Sequence, residues 1–276
     1  MHRSSPAIRV IVYALLIGGS MVFLIPFLWM ITSALKASRD IFTYPPTVWP
    51  KPVVWSNFSE AVTFIPFARY LGNTLVICIG SMVGSVISAS LVAYSLAILR
   101  WRGRGLAFKL LLATMLLPPQ VTMIPVFVIW RKLGLIDTFW PLILPAFFGA
   151  PFFIFLVRQF YLGVPYELVE AARIDGCREW SVYWRIVAPL SVPVLTTVAL
   201  FSFIWTWTDF LTPIIYLQDQ SKYTLSLGLQ QFQETNGAQW GMLMAASVLI
   251  TLPMIILFFC LQRLFVEGIA TTGLKG

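Results

Sequence analysis

The sequence predicts an all-α membrane protein with six transmembrane helices, and two observations support this prediction. Hydrophobic residues make up 59% of the 276 residues and charged residues only 11%, whereas a soluble domain carries roughly 25% charged residues. The chain also contains six stretches of at least 20 residues without Asp, Glu, Lys or Arg. About 20 apolar residues in a helix cross a hydrocarbon core about 30 Å thick, and backbone in lipid must satisfy its own hydrogen bonds. The composition therefore disfavours a soluble enzyme and excludes a disordered chain.

The uncharged stretches give the expected order of elements along the chain. A short tail (1–9) precedes the first helix (10–35), whose 26-residue apolar run is longer than the roughly 7–15 residues of a signal peptide. An extracytoplasmic loop (36–69) leads into a transmembrane domain (70–265), and a second tail (266–276) follows. Within that domain the expected elements are helices at about 72–98, 108–130, 138–160, 191–216 and 242–263, and a long loop at 161–190.

The distribution of Lys and Arg predicts the orientation of these helices. With the N-terminus in the cytoplasm, the inner segments carry 12 basic residues in 61 positions and the outer segments carry 7 in 67. This bias follows the positive-inside rule, so both termini are expected to be cytoplasmic. The bias accounts for the net charge of +8, and no nucleic-acid partner is needed to explain it.

The sequence lacks the residue patterns of catalytic and metal-binding sites. His2 is the only histidine, and Cys78, Cys177 and Cys260 lie far apart, so neither a zinc site nor a disulfide framework is expected. No phosphate-binding loop of the form G-x-x-x-x-G-K-[ST] occurs. We therefore expect no catalytic residue, no metal and no cofactor on this chain.

Proline marks two parts of the chain where the sequence leaves alternatives open. The extracytoplasmic loop contains Tyr44-Pro45-Pro46 and Trp49, which favour either a strap at the membrane interface or a ligand-binding surface. The third helix contains Pro118-Pro119-Gln120 and Pro125, which bend a helix. Such a bend serves helix packing or lines a solute pathway, because neighbours or water must satisfy the freed backbone groups.

The long loop 161–190 contains the pattern of a short helix. Pro165 is followed by acidic residues and strong helix formers, and Gly176 stands where a helix would end. Leu168, Ala171, Ala172 and Asp175 are spaced to share one face, and the alanines on it would allow another surface to approach closely. Such a helix either lies on the membrane or on its own bundle, or docks a peripheral partner.

The same loop resembles that of a known family. Glu170-Ala171-Ala172, then Gly176, then Ile186 and Pro189 resemble the E-A-A-x-x-x-G…I-x-x-P loop of the permeases of ABC importers. Further segments along almost the whole chain resemble the maltose-type (carbohydrate uptake) subfamily: Tyr44-Pro45-Pro46, Arg69-Tyr70…Asn73-Thr74, Pro118-Pro119…Ile124-Pro125, Trp205…Trp207-Thr208-Asp209-Phe210, and the C-terminal Gln262-Arg263…Gly273-Leu274-Lys275-Gly276. The resemblance implies the type I ABC importer permease fold, with a cytoplasmic coupling helix between the fourth and fifth transmembrane helices.

The resemblance also implies a function and partners. The chain would be a permease subunit in a bacterial or archaeal inner membrane, importing a sugar, an oligosaccharide or a related polyol or glycerol-phosphate solute. A second homologous permease, two ATPase subunits that bind ATP and Mg, and an extracytoplasmic solute-binding protein touching residues 217–241 would complete the complex. Contact with the ATPases would come from the coupling loop (Glu167, Glu170, Ala171, Ala172, Asp175 and Gly176) and from the C-terminal tail (Gly273, Leu274, Lys275 and Gly276).

The solute pathway is open to several interpretations. Polar and aromatic residues in or near the expected helices are candidates for it: Asn73, Gln120, Trp205, Trp207 and Asp209. Trp and Asp at a helix end are also ordinary interfacial anchors. A secondary transporter or channel without an ATPase is the alternative function, although it would normally bury ionisable residues that this chain lacks. A membrane enzyme would need paired acids, a Ser/His pair or a metal cluster.

Overall fold

The computed structural model describes residues 6–234 and 239–272, with side chains described over 8–233 and 239–260. In these ranges the secondary structure is helical and contains no strand. Short 3-10 helices lie at 38–40, 144–148 and 220–222, and a π-helix lies at 183–187. The α-helices are α1 (Pro6–Ala34), α2 (Ser56–Phe64), α3 (Phe67–Ala97), α4 (Arg104–Thr114), α5 (Pro119–Lys132), α6 (Trp140–Ile143), α7 (Pro151–Tyr161), α8 (Tyr166–Ile174), α9 (Glu179–Val182), α10 (Ala188–Leu190), α11 (Val192–Thr208), α12 (Leu211–Tyr216), α13 (Leu225–Gly228), α14 (Gln231–Glu234) and α15 (Trp240–Thr272).

Four helical segments of the described chain are long and apolar enough to cross a membrane: Ile8–Ala34, Phe67–Ala97, Trp140–Tyr161 and Trp240–Cys260. Two further pairs of consecutive helices are long and apolar enough only when each pair is taken together as one span with a sharp bend. α4 and α5 meet at 97°, and the segment Glu179–Leu190 meets α11 at 76°. The six spans expected from the sequence are therefore reached if each bent pair counts as one span.

The structure divides three helices that the sequence predicted as continuous. The expected third helix breaks because Pro118 is extended (ψ 134°) and a second proline opens α5. The expected fourth helix passes through a 3-10 segment and Gly149, whose φ is +91°. The expected fifth helix ends at Thr208, Asp209 is extended (ψ 122°), and the chain becomes helical again at Leu211. Uncharged stretches report only how apolar a segment is, so they could not reveal these breaks.

One compact unit comprises the described residues up to Ala68 together with 228–255. In it, α1 exposes apolar side chains along most of its described length, as expected of a helix that faces lipid or another chain. The buried Asn57 of α2 donates from Nδ2 to the carbonyl oxygens of Ala34 and Lys36, both at 2.8 Å. These bonds satisfy carbonyls that the end of α1 leaves free.

The other unit comprises 69–227 and the described residues from 256 onward. Its hydrophobic core joins α3, α7, α8 and α11 through buried side chains such as Ala93, Val157, Val169 and Val198. Small residues let the backbone of α3 come close to the segment that follows α5. A Cβ on Gly84 would lie 2.6 Å from the ring of a phenylalanine in the 3-10 helix 144–148, which is the close approach that small residues permit in membrane bundles.

Candidate functional site: the loop between α7 and α11

The predicted short helix of the long loop is present as α8. It follows Pro165, and Glu167 lies in its first turn, where a negative charge is favourable. It ends at Gly176, whose φ of +81° suits a residue without a side chain. The N–H of Cys177 donates to the Ala172 carbonyl (2.9 Å) and that of Gly176 to the Arg173 carbonyl (3.0 Å). This Schellman pattern satisfies carbonyls at the helix end and sets the direction of the next segment.

The two faces of α8 have different environments. Val169 and Ala172 are buried in the chain's own hydrophobic core. The outward face is exposed and includes apolar side chains, since Leu168 is 45% exposed and Ile174 is 86% exposed. The predicted coupling residues Glu167, Glu170, Ala171, Asp175 and Gly176 are exposed as well.

The two adjacent alanines of α8 therefore lie in different environments. Ala171 faces outward, whereas Ala172 packs inward. The sequence interpretation placed both on one outward face, and for Ala172 this was wrong. Neighbouring residues on a helix are about 100° apart, so the side that turns to the core is decided by packing.

Arg173 joins α8 to two other elements. Its guanidinium donates to both carboxylate oxygens of Glu179, at 2.8 Å (Nε to Oε1) and 3.2 Å (Nη2 to Oε2), and to the Tyr166 hydroxyl at 2.8 Å. The Tyr94 hydroxyl of α3 donates to Oε2 of the same carboxylate, also at 2.8 Å. The hydrogen bond to Glu179 raises the pKa of Arg173. We call Tyr94, Arg173 and Glu179 the Arg173 triad; it ties α8, α9 and α3 together.

Hydroxyl groups beside the triad extend this connection into the bundle. The Ser90 hydroxyl of α3 lies 2.7 Å from the hydroxyls of both Tyr161 and Tyr183. The rings of Tyr183 and Tyr94 pack edge to face, with centroids 5.3 Å apart. All four side chains are buried, so α3, α7 and the π-helix 183–187 are held to one another where the loop begins.

Among the predicted pathway residues, Asn73 and Trp207 are held by partners within the chain. Asn73, near the start of α3, donates from Nδ2 to the carbonyls of Ser221 (2.9 Å) and Tyr223 (3.0 Å). Trp207 is buried and stacks on Phe203, with centroids 5.4 Å apart.

Asp209 lies at the break between α11 and α12. Its Oδ1 accepts from the backbone N–H of Thr212 at 3.1 Å, and its carbonyl accepts from the Ser226 hydroxyl at 2.6 Å. The bond from Thr212 supports the first turn of α12, and the bond from Ser226 ties the break to α13. The Asp209 carboxylate therefore stabilises the change in chain direction between α11 and α12.

Gln120 and Trp205 are more exposed than Trp207. Gln120 lines a cavity of about 340 Å³ between α5, α6 and α12, together with Trp130 and Thr212. The Trp130 Nε1 is buried and has no hydrogen-bond partner among the described residues. Trp205 is 49% exposed and stacks on Phe153, with centroids 4.9 Å apart. None of these hydrogen bonds and ring contacts joins two of the five predicted pathway residues.

A charged cluster fixes the α5–α6 turn to the segment after α12. Asp137, at φ +60°, accepts at Oδ1 from the backbone N–H groups of Gln218 and Asp219, both at 3.0 Å, and pairs with the Lys222 ammonium through Oδ2. Partial burial acts to raise the pKa of Asp137, but these hydrogen bonds outweigh it and lower the pKa to about 2. The carboxylate is therefore charged at physiological pH.

Other predicted contacts fall partly beyond the described chain. Gly273, Leu274, Lys275 and Gly276 lie outside the described residues, and so do 235–238 of the predicted binding-protein loop 217–241. Among the residues that the structure describes, no group of three or more His, Cys, Asp or Glu side chains could hold a metal ion.

Sequence reasoning missed the Arg173 triad. The opposite charges of Arg173 and Glu179 on either side of the predicted turn at Gly176 were a usable signal for their ion pair. Nothing in the sequence links Tyr94, which is 85 positions before Glu179, to the same carboxylate.

Comparisons with known proteins agree with the fold. The family model described as "Binding-protein-dependent transport system inner membrane component" matches residues 85–271. A probable ABC transporter permease protein of Bacillus subtilis (strain 168), YurM, is 37% identical over 91% of this chain and 83% of that protein. The arabinooligosaccharides transport system permease protein AraQ of Halalkalibacterium halodurans is 33% identical over 100% of this chain and 99% of that protein.

A second transport permease and one solved structure are also similar to this chain. The sn-glycerol-3-phosphate transport system permease protein UgpE of Yersinia pestis is 33% identical over 98% of both chains. A solved structure of a bacterial ABC transporter involved in the import of the acidic polysaccharide alginate contains a chain of similar fold. That chain gives a TM-score of 0.81 at 24% identity, and the match covers 95% of this chain and 98% of that chain.

Proposed function

The chain belongs to the family of binding-protein-dependent transport system inner membrane components, and from this premise we propose that it is one of two permease subunits forming the pathway of an ATP-driven sugar importer. It is a multi-pass membrane permease component of an ABC importer, and the family match does not favour a secondary transporter or channel. The relatives named for arabinooligosaccharides and for sn-glycerol-3-phosphate support a sugar, an oligosaccharide or a related polyol or glycerol-phosphate as the solute.

The outward face of α8 supports its role as the coupling helix. Leu168 and Ile174 expose apolar surface on a short helix, and exposed apolar surface with polar residues around it is a common feature of docking surfaces. Val169 and Ala172 hold the inner face in the core. The helix would therefore rest on its own bundle with one face and insert the other into a groove of an ATPase subunit, where Glu170 would meet donors from that subunit.

The division of labour follows from this docking. ATP and Mg would bind to two separate ATPase subunits, and this chain would hold no cofactor. Closure of the ATPases on ATP would move α8 and switch the bundle between two access states, with the bias set by differential binding energy. A second homologous permease would complete the pathway, and a solute-binding protein would deliver the solute to loop 217–241. Since α8 would meet cytoplasmic ATPases, both termini would be cytoplasmic, as the basic residues also predict.

Co-purification tests this function. We expect the tagged chain, extracted from its native membranes in mild detergent, to bring down an ATPase, and Leu168→Asp to abolish this because a charge would enter an apolar contact. The matched control is Leu133→Asp, a change at a leucine that is also exposed (60%) but lies after α5, away from α8. Equal ATPase recovery with Leu168→Asp and with the wild type would contradict docking through α8.

A further inference from the structure

The Arg173 triad spans the turn that joins α8 to α9. α8 has nine residues and buries only Val169 and Ala172. It is joined to α9 through Gly176, which has a positive φ and no atom within 4 Å of the position where its Cβ would lie. The turn itself is held by two backbone hydrogen bonds, from the N–H groups of Gly176 and Cys177. A helix held only by these bonds and two buried side chains would absorb a push partly by bending at that turn.

We infer that the Arg173 triad is a positioning device that transmits displacement of α8 to α3, and hence to the segment 217–227. This inference rests on the proposed docking of α8 to an ATPase. Arg173 and Glu179 stand on either side of Gly176, and their two-bond contact fixes the angle between α8 and α9. A two-bond Arg–carboxylate pair specifies orientation more strongly than a single contact does.

The guanidinium also holds the other end of α8, because its third hydrogen bond goes to Tyr166 in the first turn of that helix. The Arg173 side chain therefore contacts Tyr166 at the start of α8 and Glu179 beyond its end. Arg173 and Glu179 are 28% and 47% exposed, so the pair adds little Coulomb energy. The pair matters here because its two hydrogen bonds fix the orientation of α8 relative to α9.

Tyr94 passes the constraint to α3. Its hydroxyl donates to the Glu179 carboxylate at 2.8 Å and also approaches the Glu179 carbonyl at 3.3 Å. α3 is a continuous helix of 31 residues, and Asn73 and Tyr94 are about 32 Å apart along it at a rise of about 1.5 Å per residue. At the far end, Asn73 binds two carbonyls of the segment 217–227, and Thr74 Oγ1 accepts from the backbone N–H of Leu225 at 2.9 Å. One rigid helix therefore connects the triad to that segment.

Hydrogen–deuterium exchange on the assembled complex tests the inference without knowledge of the solute. The complex is purified from native membranes with its ATPases, and exchange of 217–227 is compared with and without Mg-ATP and vanadate. We expect ATP and vanadate to change the exchange rate in the wild type. Tyr94→Phe and Glu179→Gln should reduce that change about tenfold, the factor corresponding to one lost hydrogen bond to a charged group. Both variants should retain the ATPase subunits and hydrolyse ATP.

The controls separate transmission from a merely structural role. Asp40→Asn removes the carboxylate of another ion pair, formed with Arg39 at 3.7 Å, and should leave the ATP-dependent change as in the wild type. Arg173→Lys keeps the charge but cannot make both bonds to the carboxylate, so its effect should resemble that of Glu179→Gln.

Three results would overturn the inference. The first is a wild-type complex whose 217–227 segment does not respond to ATP and vanadate. The second is a Tyr94→Phe complex whose 217–227 segment responds to ATP and vanadate as fully as the wild type's. This holds even if Glu179→Gln fails to assemble, because the triad would then serve only folding. The third is a wild-type chain that brings down no ATPase, and this result alone would also contradict the proposed function.

Discussion

Asn57→Asp is the substitution whose effect can be worked out most directly. The side chain keeps its size, but the amide N–H₂ that donates to the carbonyls of Ala34 and Lys36 becomes a carboxylate oxygen. Two donor–acceptor contacts at 2.8 Å become contacts between acceptors. Asn57 is only 7% exposed, and a Cβ on Gly241 would lie 2.8 Å from its Nδ2, so the side chain has little room to turn away.

The cost follows from the loss of these two bonds. A buried group left without its hydrogen bond costs about 1–3 kcal/mol, and two carbonyls lose their donor here. We therefore expect a loss of about 3 kcal/mol in the unit that contains α1 and α2. At about 2–4 °C per kcal/mol for a chain of this size, the melting temperature should fall by roughly 6–12 °C.

Thermal unfolding in detergent at neutral pH, followed by intrinsic fluorescence, measures this shift. Glu60→Gln is the matched control, because it exchanges a carboxylate and an amide of equal size at an exposed position of the same helix; its melting temperature should change by less than about 2 °C, since such surface changes usually stay within about 0.5 kcal/mol. If Asn57→Asp melts with the wild type, Asn57 does not hold the end of α1.

Three other changes have defined outcomes. Gly84→Leu should destabilise the protein by about 1–3 kcal/mol through overpacking because even a Cβ there lies 2.6 Å from the Phe147 ring, whereas Gly72→Leu meets open space; equal melting temperatures would contradict this packing. Asp137 has its pKa lowered from 3.8 to about 2, so the stability it adds is present above pH 4 and is lost as the pH falls towards 2. Asp137→Asn should lower the free energy of unfolding by about 1–2 kcal/mol at pH 7, which is about 1.4 kcal/mol per pKa unit reduced by solvent screening. The free energy of unfolding of this variant should also change less between pH 4 and pH 2 than that of the wild type. An equally steep change in both proteins would assign the loss to other groups. Deleting residues 270–276 should lower the binding-protein-stimulated ATPase rate of the complex, and an unchanged rate would remove the tail from the mechanism.

The features that could be predicted from the sequence are those set by neighbouring residues. The position of α8 followed from Pro165 and Gly176, since capping is decided within a few residues of a helix end. The breaks at Pro118 and Asp209 were beyond the same reasoning. A proline in an apolar segment is compatible with a mild kink or with the 97° bend found between α4 and α5, and only the packing around it decides which occurs.

The contacts of the Arg173 triad depend on packing between distant segments. The bonds of Arg173 and Glu179 need the turn at Gly176, and that of Tyr94 needs α3 to lie beside α9. The inward position of Ala172 has the same origin, because the core formed by α3, α7 and α11 selects which side of α8 is buried. A single sequence contains these residues but not their distances.

The candidate pathway residues show why polar side chains in apolar segments are ambiguous. A polar group placed in lipid costs free energy unless it is paired, so its first requirement is a partner. Asn73 and Asp209 meet that requirement with backbone groups of their own chain, so their polarity has a structural explanation. Gln120 instead lines a cavity beside the buried, unpaired Nε1 of Trp130. The search for solute contacts on this chain is therefore best directed to the cavity between α5 and α12, where the Nε1 of Trp130 still lacks a partner.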